Sequence, residues 1–486
     1  MKLFHLLFII TLTTIHAFSQ NQGNIWYFGD QAGLDFNNGA PIAITDGQTY
    51  NDSETAHSEG TTVICDNTGS LLFYSNGEKV WNGNHEIMPN GDGLLGNLSS
   101  TQTLIVPQPG SSQLYYLFTT DGFFESNLEN GLRYSVIDIC LDNGNGDVMD
   151  NKKNILITEK VAEKLTAVRH SNGIDYWVIT HKYNSDAFHA YLLSSEGIVD
   201  SVITRIGSIH KDYCPGSTAK EKAALGQLKA SPDGSKLVCV NGQGCKNISE
   251  LFDFDQTTGI VTNVLDLQTD ILAIGLYGAS FSPDNSKLYI SSWVNSDKVY
   301  QYDLSLGIPE TIVNSKTIVG DHSGGPWFMG MQLGPDGKIY IAIRNQNSIA
   351  VIDNPNAAGT SCNLMDDAIS LDGKSCSLAL PNFIDFYDYS NTSVDCTTGT
   401  KVVLPSIALN IYPNPFSEVT TIELNNLNIE TPTLMMYDNH GKVVKIIHNI
   451  KGGKLELNRQ NLPDGLYLVQ LKSNAQILTT KKLLLH

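Results

Sequence analysis

Side chains able to do chemistry lie scattered along this chain, outside the spacings that build familiar catalytic centres. There is no G-x-S-x-G nucleophile elbow and no phosphate-cradling P-loop. His85-Glu86-Ile87-Met88-Pro89 lacks the second histidine that a zinc-binding H-E-x-x-H helix presents one turn on. Asp142-Asn143-Gly144-Asn145-Gly146-Asp147, with Asp150, is oxygen-rich like a calcium loop but has no acid at positions three and five of the EF-hand pattern. A Gly/Asn-rich hairpin is the simpler reading; calcium stays open there, and no other metal or cofactor is expected. Eight cysteines (Cys65, Cys140, Cys214, Cys239, Cys245, Cys362, Cys376, Cys396) suit disulfides in an oxidising compartment and lack the C-x2-C pairs of a zinc site. Connectivity is not readable, but Cys239 with Cys245, or Cys362 with Cys376, could close locally.

Composition narrows the partners. The chain has 486 residues, 41% hydrophobic and 17% charged, enough to bury a sizeable core. Its net charge of −19 argues against a partner held through phosphates, so no nucleic acid is expected. Met1-Lys2, an apolar run from Leu3 to Ile15 and Ala17-Phe18-Ser19 have the layout of a secretory signal peptide over residues 1–19. The run is too short for a membrane anchor, and no later segment is apolar enough to span a bilayer.

The elements that would position any site repeat. Leu228–Leu237, Ala279–Leu288 and Met331–Ile339 each run strand, Pro-Asp-Gly/Asn turn, strand, with Pro232, Pro283 and Pro335 spaced at about fifty residues, a period typical of propellers. Weaker copies occupy Val63–Tyr74, Leu104–Leu117 and Ala167–Ile179, and further alternating segments give about four strands per unit. Ile25–Gly29 with Leu34–Phe36 would close the ring by pairing with Phe383–Tyr387. The expectation is an all-β chain: a β-propeller of seven blades, with six or eight as alternatives, over residues 20–396. A linker at 397–404 and a small C-terminal β-sandwich at 405–486 follow.

In such a ring the Pro-Asp-Gly turns lie on one face. The other face, the mouth, carries Glu59, Asn76, Gln102, Asp121, Lys164, His181, Asn241, Trp293, Trp327 and Arg344. Indoles for stacking and mixed polar groups for orientation suit a sugar or peptide. Each also has a structural reading: the tryptophans as filler between blades, His181 as a satisfied core histidine, Lys164 or Arg344 as a solvated charge. Glu59 and His181 would act as base and acid only if they converged.

Residues 24–390 resemble a recurring surface-protein module of Bacteroidota, through Trp26-Tyr27-Phe28-Gly29, Gly33-Leu34-Asp35-Phe36, Val80-Trp81-Asn82, Met88-Pro89-Asn90-Gly91, Ser99-Ser100-Thr101-Gln102 and Trp177-Val178-Ile179-Thr180-His181-Lys182. That resemblance implies an architecture and no reaction. The end of the chain is similar to the type A sorting domain of the type IX secretion system: Asn410-Ile411-Tyr412-Pro413-Asn414-Pro415, the Gly441-Lys442 turn, Asp464-Gly465-Leu466-Tyr467 and Lys481-Lys482 occur in order. The resemblance implies passage through the type IX translocon, removal by a C-terminal signal peptidase, and a product at the cell surface or beyond. From Lys401 onward nine Lys/Arg face six Asp/Glu, so the acidic charge belongs to the part before it. Two function classes follow: a non-enzymatic binding or adhesion propeller for a glycan, peptide or protein, favoured by the missing motifs, and an extracytoplasmic hydrolase or lyase with its site in the central channel.

Overall fold

The computed structural model describes residues 21–49, 59–99, 101–210, 223–242, 247–268, 275–293, 297–322, 325–385, 396, 409–424, 433–438, 442–448, 450, 453–460, 462–473 and 476–486. The chain divides into two compact units, residues 1–396 and 397–486. Among the described residues, seven antiparallel sheets make up the first unit, and they are the seven blades of a β-propeller.

The Pro-Asp-Gly turns show why the sheets form where they do. In blade 4 the innermost strand Leu228–Ala230 ends at Ser231, whose carbonyl accepts the Gly234 N–H at 2.8 Å while the Asp233 carboxylate accepts the Ser231 hydroxyl and the Ser235 N–H. Gly234, Asn285 and Gly337 occupy the same left-handed position (φ 71°, 63° and 78°) in blades 4, 5 and 6, a conformation that Gly, without a Cβ, and Asn adopt most readily. Each turn hands the chain to a second strand: Lys236–Asn241, Lys287–Ser292 and Ile339–Ile343. Blade 1 begins with Thr62–Cys65 and Leu71–Ser75, blade 2 with Thr103–Pro107 and Leu114–Thr120, blade 3 with Val161–Arg169 and Tyr176–Lys182. All six repeat units of the sequence are therefore first-and-second-strand pairs.

Two blades depart from four strands. In blade 2 the third strand, Leu132–Asp138, carries both Asp147–Val148 and Ile155–Thr158 on its outer side, so that sheet has five. The oxygen-rich stretch considered for calcium is the reversal into Asp147–Val148. Blade 7 has three strands, Ile25–Phe28, Ala32–Asp35 and Ile42–Ile44, and the chain's return runs along its inner side. Contact there is made by the Asp30↔Ser375 bridge, earlier in the chain than the expected Phe383–Tyr387 segment, and by Phe383, the first residue of that segment, whose ring centroid lies 5.7 Å from that of Trp26; residues 386 and 387 lie outside the described residues.

The local cysteine pairs of the sequence reading are corrected. Cys140, just past the third strand of blade 2, bonds Cys396, while Cys239, Cys362 and Cys376 are buried free thiols, as is Cys65. The bond spans 256 residues, a pairing no local spacing could have signalled. Cys214 and Cys245 lie outside the described residues, as do the signal segment and the linker at 397–404.

The second unit stacks a sheet of Leu409–Tyr412, Val419–Leu424 and Lys454–Asn458 against one ordered Val443–Ile447, Thr433–Tyr437, Gly465–Ser473, Gln476–Leu485. Leu409, Ile422, Leu434, Met436, Val469 and Leu483 fill the layer between them. It is a β-sandwich.

Candidate binding face and sorting domain

The axis of the propeller is not an open channel at its centre. Gln102, fully buried just before blade 2, donates through Nε2 to the Leu228 carbonyl (3.1 Å) and to Asn382 Oδ1 (3.3 Å), while its Oε1 accepts the N–H groups of Leu165 and Leu228. Gln227 repeats the device: its Oε1 accepts the N–H groups of Ala279 and Met331. One primary amide thus links three first strands, because it offers donor and acceptor at once. Deeper toward the turn face, Lys229 Nζ donates to Gln332 Oε1 and Asn382 Oδ1 and pairs with Asp385 at 3.5 Å. Burial lowers the Lys229 pKa and raises that of Asp385.

At the mouth end, a second polar group is equally buried. The Tyr277 hydroxyl donates to Glu59, and the Glu163 carboxylate accepts the Thr101 N–H and hydroxyl and the Phe123 N–H. Burial pushes the Glu163 carboxyl up and drives Tyr277 well above its ordinary value, with Glu59 adding to the latter. Lys164 Nζ donates to the carbonyls of Ala224, Leu225 and Gly226, and burial lowers its pKa to about 8.

The ten mouth residues therefore divide. Asn76 caps its own turn by accepting the N–H groups of Glu78 and Lys79, and Asp121 accepts those of Gly122 and Asn130. Gln102 and Lys164 are structural fasteners, and Asn241 Nδ2 donates to the Ala223 carbonyl. His181 stacks on His210 at 3.9 Å with Phe188 edge-on, buried, and burial lowers its pKa to about 3. Glu59 and His181 each have other partners, and no hydrogen bond joins them among the described residues. Trp293, Trp327 and Arg344 form a separate group between blades 5 and 6, all three half-buried. The indoles meet edge to face at 5.2 Å, and the Arg344 guanidinium lies 4.3 Å over Trp327. Gly242 and Gly275 let the Trp293 indole seat: a Cβ on Gly275 would fall 2.0 Å from its Nε1. Among the described residues no group of three His, Cys, Asp or Glu side chains is placed to hold a metal ion.

The sequence reading missed Glu163, His210, Tyr277, Gln227, Lys229 and Asp385. A signal existed for two: Glu163 and Lys229 are charges inside strands otherwise written for burial. Clefts on the turn face include one of about 340 Å³ beside His170, Asp233 and Gln256 and one of about 400 Å³ beside Asn24, Asn37 and Asp336.

In the second unit the sorting landmarks serve the sandwich. Asn414 Nδ2 donates to the Lys482 carbonyl, and its Oδ1 accepts the Leu484 N–H, so the Asn-Pro stretch fastens onto the last strand. The Tyr467 hydroxyl donates to the Pro463 carbonyl, and Asp464 pairs with Arg459. Tyr412 lies beside Glu423, to which its hydroxyl donates; Lys481 and Lys482 are exposed, and Gly441 lies outside the described residues.

Comparisons with known proteins agree with the second unit. Residues 410–486 match the family described as secretion system C-terminal sorting domain. No curated protein sequence matches the chain. Similar solved structures include a candidate 6-phosphogluconolactonase from Bacteroides fragilis (15% identity, 73% of this chain and 96% of that one, TM-score 0.42) and a Lactobacillus plantarum protein (13%, 74% and 99%, 0.45). The β-propeller domain of Cps50 from Myceliophteria thermophila is another (11%, 66% and 93%, 0.35). At those scores the fold rests on the chain's own strand order. The chain is a type IX secretion cargo: a β-propeller module followed by a C-terminal sorting domain, for export across the outer membrane to the cell surface or beyond.

Proposed function

We propose that the propeller is a non-enzymatic binding module displayed at or released from the cell surface, taking a glycan or peptide on its mouth face. The observation that carries this reading is the group Trp293, Trp327 and Arg344: half-buried indoles and a guanidinium held at one rim of a rigid ring. Such a group offers flat apolar surface with a charged edge, which suits a sugar ring or a peptide backbone. Residues 1–19 would deliver the chain to the periplasm and 405–486 to the translocon. The linker at 397–404 would receive the peptidase cut. A hydrolase or lyase in the channel has less support, because Glu59 and Glu163 are buried and engaged with Tyr277, Thr101 and Phe123.

The binding test is a thermal-shift screen of residues 20–396 against polysaccharides, peptides and calcium, with Trp327→Ala and Arg344→Ala alongside. A ligand of the native state raises the melting temperature. The reading expects a rise with one ligand class that Trp327→Ala abolishes; turnover of that ligand would move the protein to the enzyme class. The export test is deletion of residues 397–486, which should leave the propeller in the periplasm; surface delivery of the truncated chain would contradict the sorting reading.

A further inference from the structure

The end of the propeller unit is pinned to one face of the ring. In blade 2 Leu132 stands across from Thr120 and Asp138 from Leu114, and Leu114 follows the reversal at Gln108–Ser111, where the Ser111 N–H donates to the Gln108 carbonyl at 3.1 Å. That reversal joins the first strand to the second, so it lies on the turn face, and the third strand comes back to the same face at Asp138. The Ile139 N–H donates to the Gln113 carbonyl and the Cys140 N–H to the Asp138 carboxylate, each at 3.0 Å, which holds Cys140 at that level. Its disulfide partner Cys396 is the last residue of the unit, and the two Cα atoms are 5.1 Å apart. Asp385, the last described residue before Cys396, also lies toward the turn face, beside Lys229. The binding group stands at the other end of its strands: Trp293 follows Lys287–Ser292, Arg344 follows Ile339–Ile343, and Trp327 precedes Phe328–Leu333.

The bond shortens the leash on which the propeller is carried. Leu132 and Asp138 end a seven-residue strand, about 20 Å long at roughly 3.3 Å per residue. The next eight residues, 397–404, separate Cys396 from the sorting domain, and a flexible chain of that length spans about 16 Å on average, less than the strand. Without the bond the free chain from Asp385 to position 404 has nineteen residues and spans about 24 Å, enough to pass from one face to the other. We infer that the propeller is held to the cell through the segment after Cys396 with its turn face toward the envelope, and that the Cys140–Cys396 bond thereby turns the mouth rim of Trp293, Trp327 and Arg344 outward. The same leash applies whether the cell holds the sorting domain or the chain end left by its removal. The inference rests on the reading of the mouth as the binding face of a displayed protein, because a ligand outside the cell is met by the face remote from the attachment.

The experiment labels single cysteines on intact cells of the native host with a membrane-impermeant maleimide carrying a bulky polymer, and compares each rate with that of the same full chain released from the cells. Glu129→Cys reports on the mouth, from an exposed position between the second and third strands of blade 2, and Ile174→Cys on the turn face, from a position 59% exposed in the first hairpin of blade 3. Glu129→Cys should react on cells within about twofold of its released rate, and Ile174→Cys at least fivefold more slowly than its own. Adding Cys140→Ser with Cys396→Ser should shrink the difference between the two positions below about twofold. Should that background fail to reach the surface, an insertion of about a dozen Gly/Ser residues after Cys396 in the bonded chain lengthens the leash equally and should have the same effect. Equal rates at the two positions, slower labelling at 129, a difference that persists on the longer leash, or recovery of the propeller in the medium alone would each overturn the inference. None of these readouts uses a ligand, so a thermal-shift panel without a response refutes the binding reading separately.

Discussion

At the scale of single residues, the decisive groups are those whose charge is buried. Lys229 and Asp385 sit on the axis with almost no exposure, and the lysine is shared with Gln332 and Asn382. A buried pair loses more from removal of one partner than from removal of both, because the survivor is left uncompensated. Lys229→Met should therefore lower unfolding stability by about 3–5 kcal/mol, and Lys229→Met with Asp385→Leu should recover much of it, as read by denaturant midpoints. The stacked pair His181–His210 predicts a pH dependence. Both folded pKa values are lowered by burial, with Lys164 adding to it; at His181 a backbone hydrogen bond with Lys182 and the Asp186 carboxylate oppose the shift, and His189 adds to it. The unfolded chain thus binds protons that the folded chain refuses, and stability falls as pH drops below about 6.5 toward about 3 for His181. Glu163 has the opposite sign, its raised pKa favouring the fold at lower pH. Comparing melting curves of the wild type and His181→Phe, His210→Phe isolates the histidines: the variant should lose steepness in the acid limb, and an unchanged limb would contradict the assignment.

At the scale of elements, what was legible in the sequence was local, and what was hidden was not. Ser231-Pro232-Asp233-Gly234-Ser235 announces its turn within five residues because the Asp233 carboxylate accepts the Ser231 hydroxyl and the Ser235 N–H, and the same chemistry recurs with Asp284 between Ser282 and Ser286. The first and second strands of six blades, and hence the mouth and turn faces, follow from those turns. That both chain ends build one blade was legible, but the bridging residues were not, because Asp30 and Ser375 meet across nearly the whole propeller. Nor was the role of Gln102, whose partners Leu228 and Asn382 are 126 and 280 residues away. The mouth list gathered residues by face, yet a face does not distinguish a side chain fastening the interior, such as Lys164, from one at the rim, such as Arg344. The Cys140–Cys396 bond is the element-scale prediction. Closing so long a loop constrains the unfolded chain, with a typical effect of about 2–4 kcal/mol. A reductant should lower the melting temperature of the wild type, and Cys140→Ser, Cys396→Ser should melt lower and ignore the reductant. The buried thiols Cys65 and Cys376 should stay unlabelled by an alkylating reagent in the native protein.

At the scale of the whole molecule, two units with opposite charge do different work. The chain carries −19 overall while the stretch from Lys401 onward is basic, which separates an acidic cargo from its address. The fold classes of both units, and the order of the sorting landmarks, stood in the sequence because repeats and short motifs survive without knowledge of tertiary contacts. The ligand did not, because a binding face is assembled from blades far apart in the chain: Trp293, Trp327 and Arg344 become neighbours only once blades 5 and 6 stand side by side. The measurement that tests the central claim most directly is the melting temperature of residues 20–396 across the ligand panel, repeated with Trp327→Ala and Arg344→Ala. The account predicts a rise with one class of glycan or peptide that these variants remove. A rise that survives both variants, or none across the panel, would contradict a mouth-face binding site.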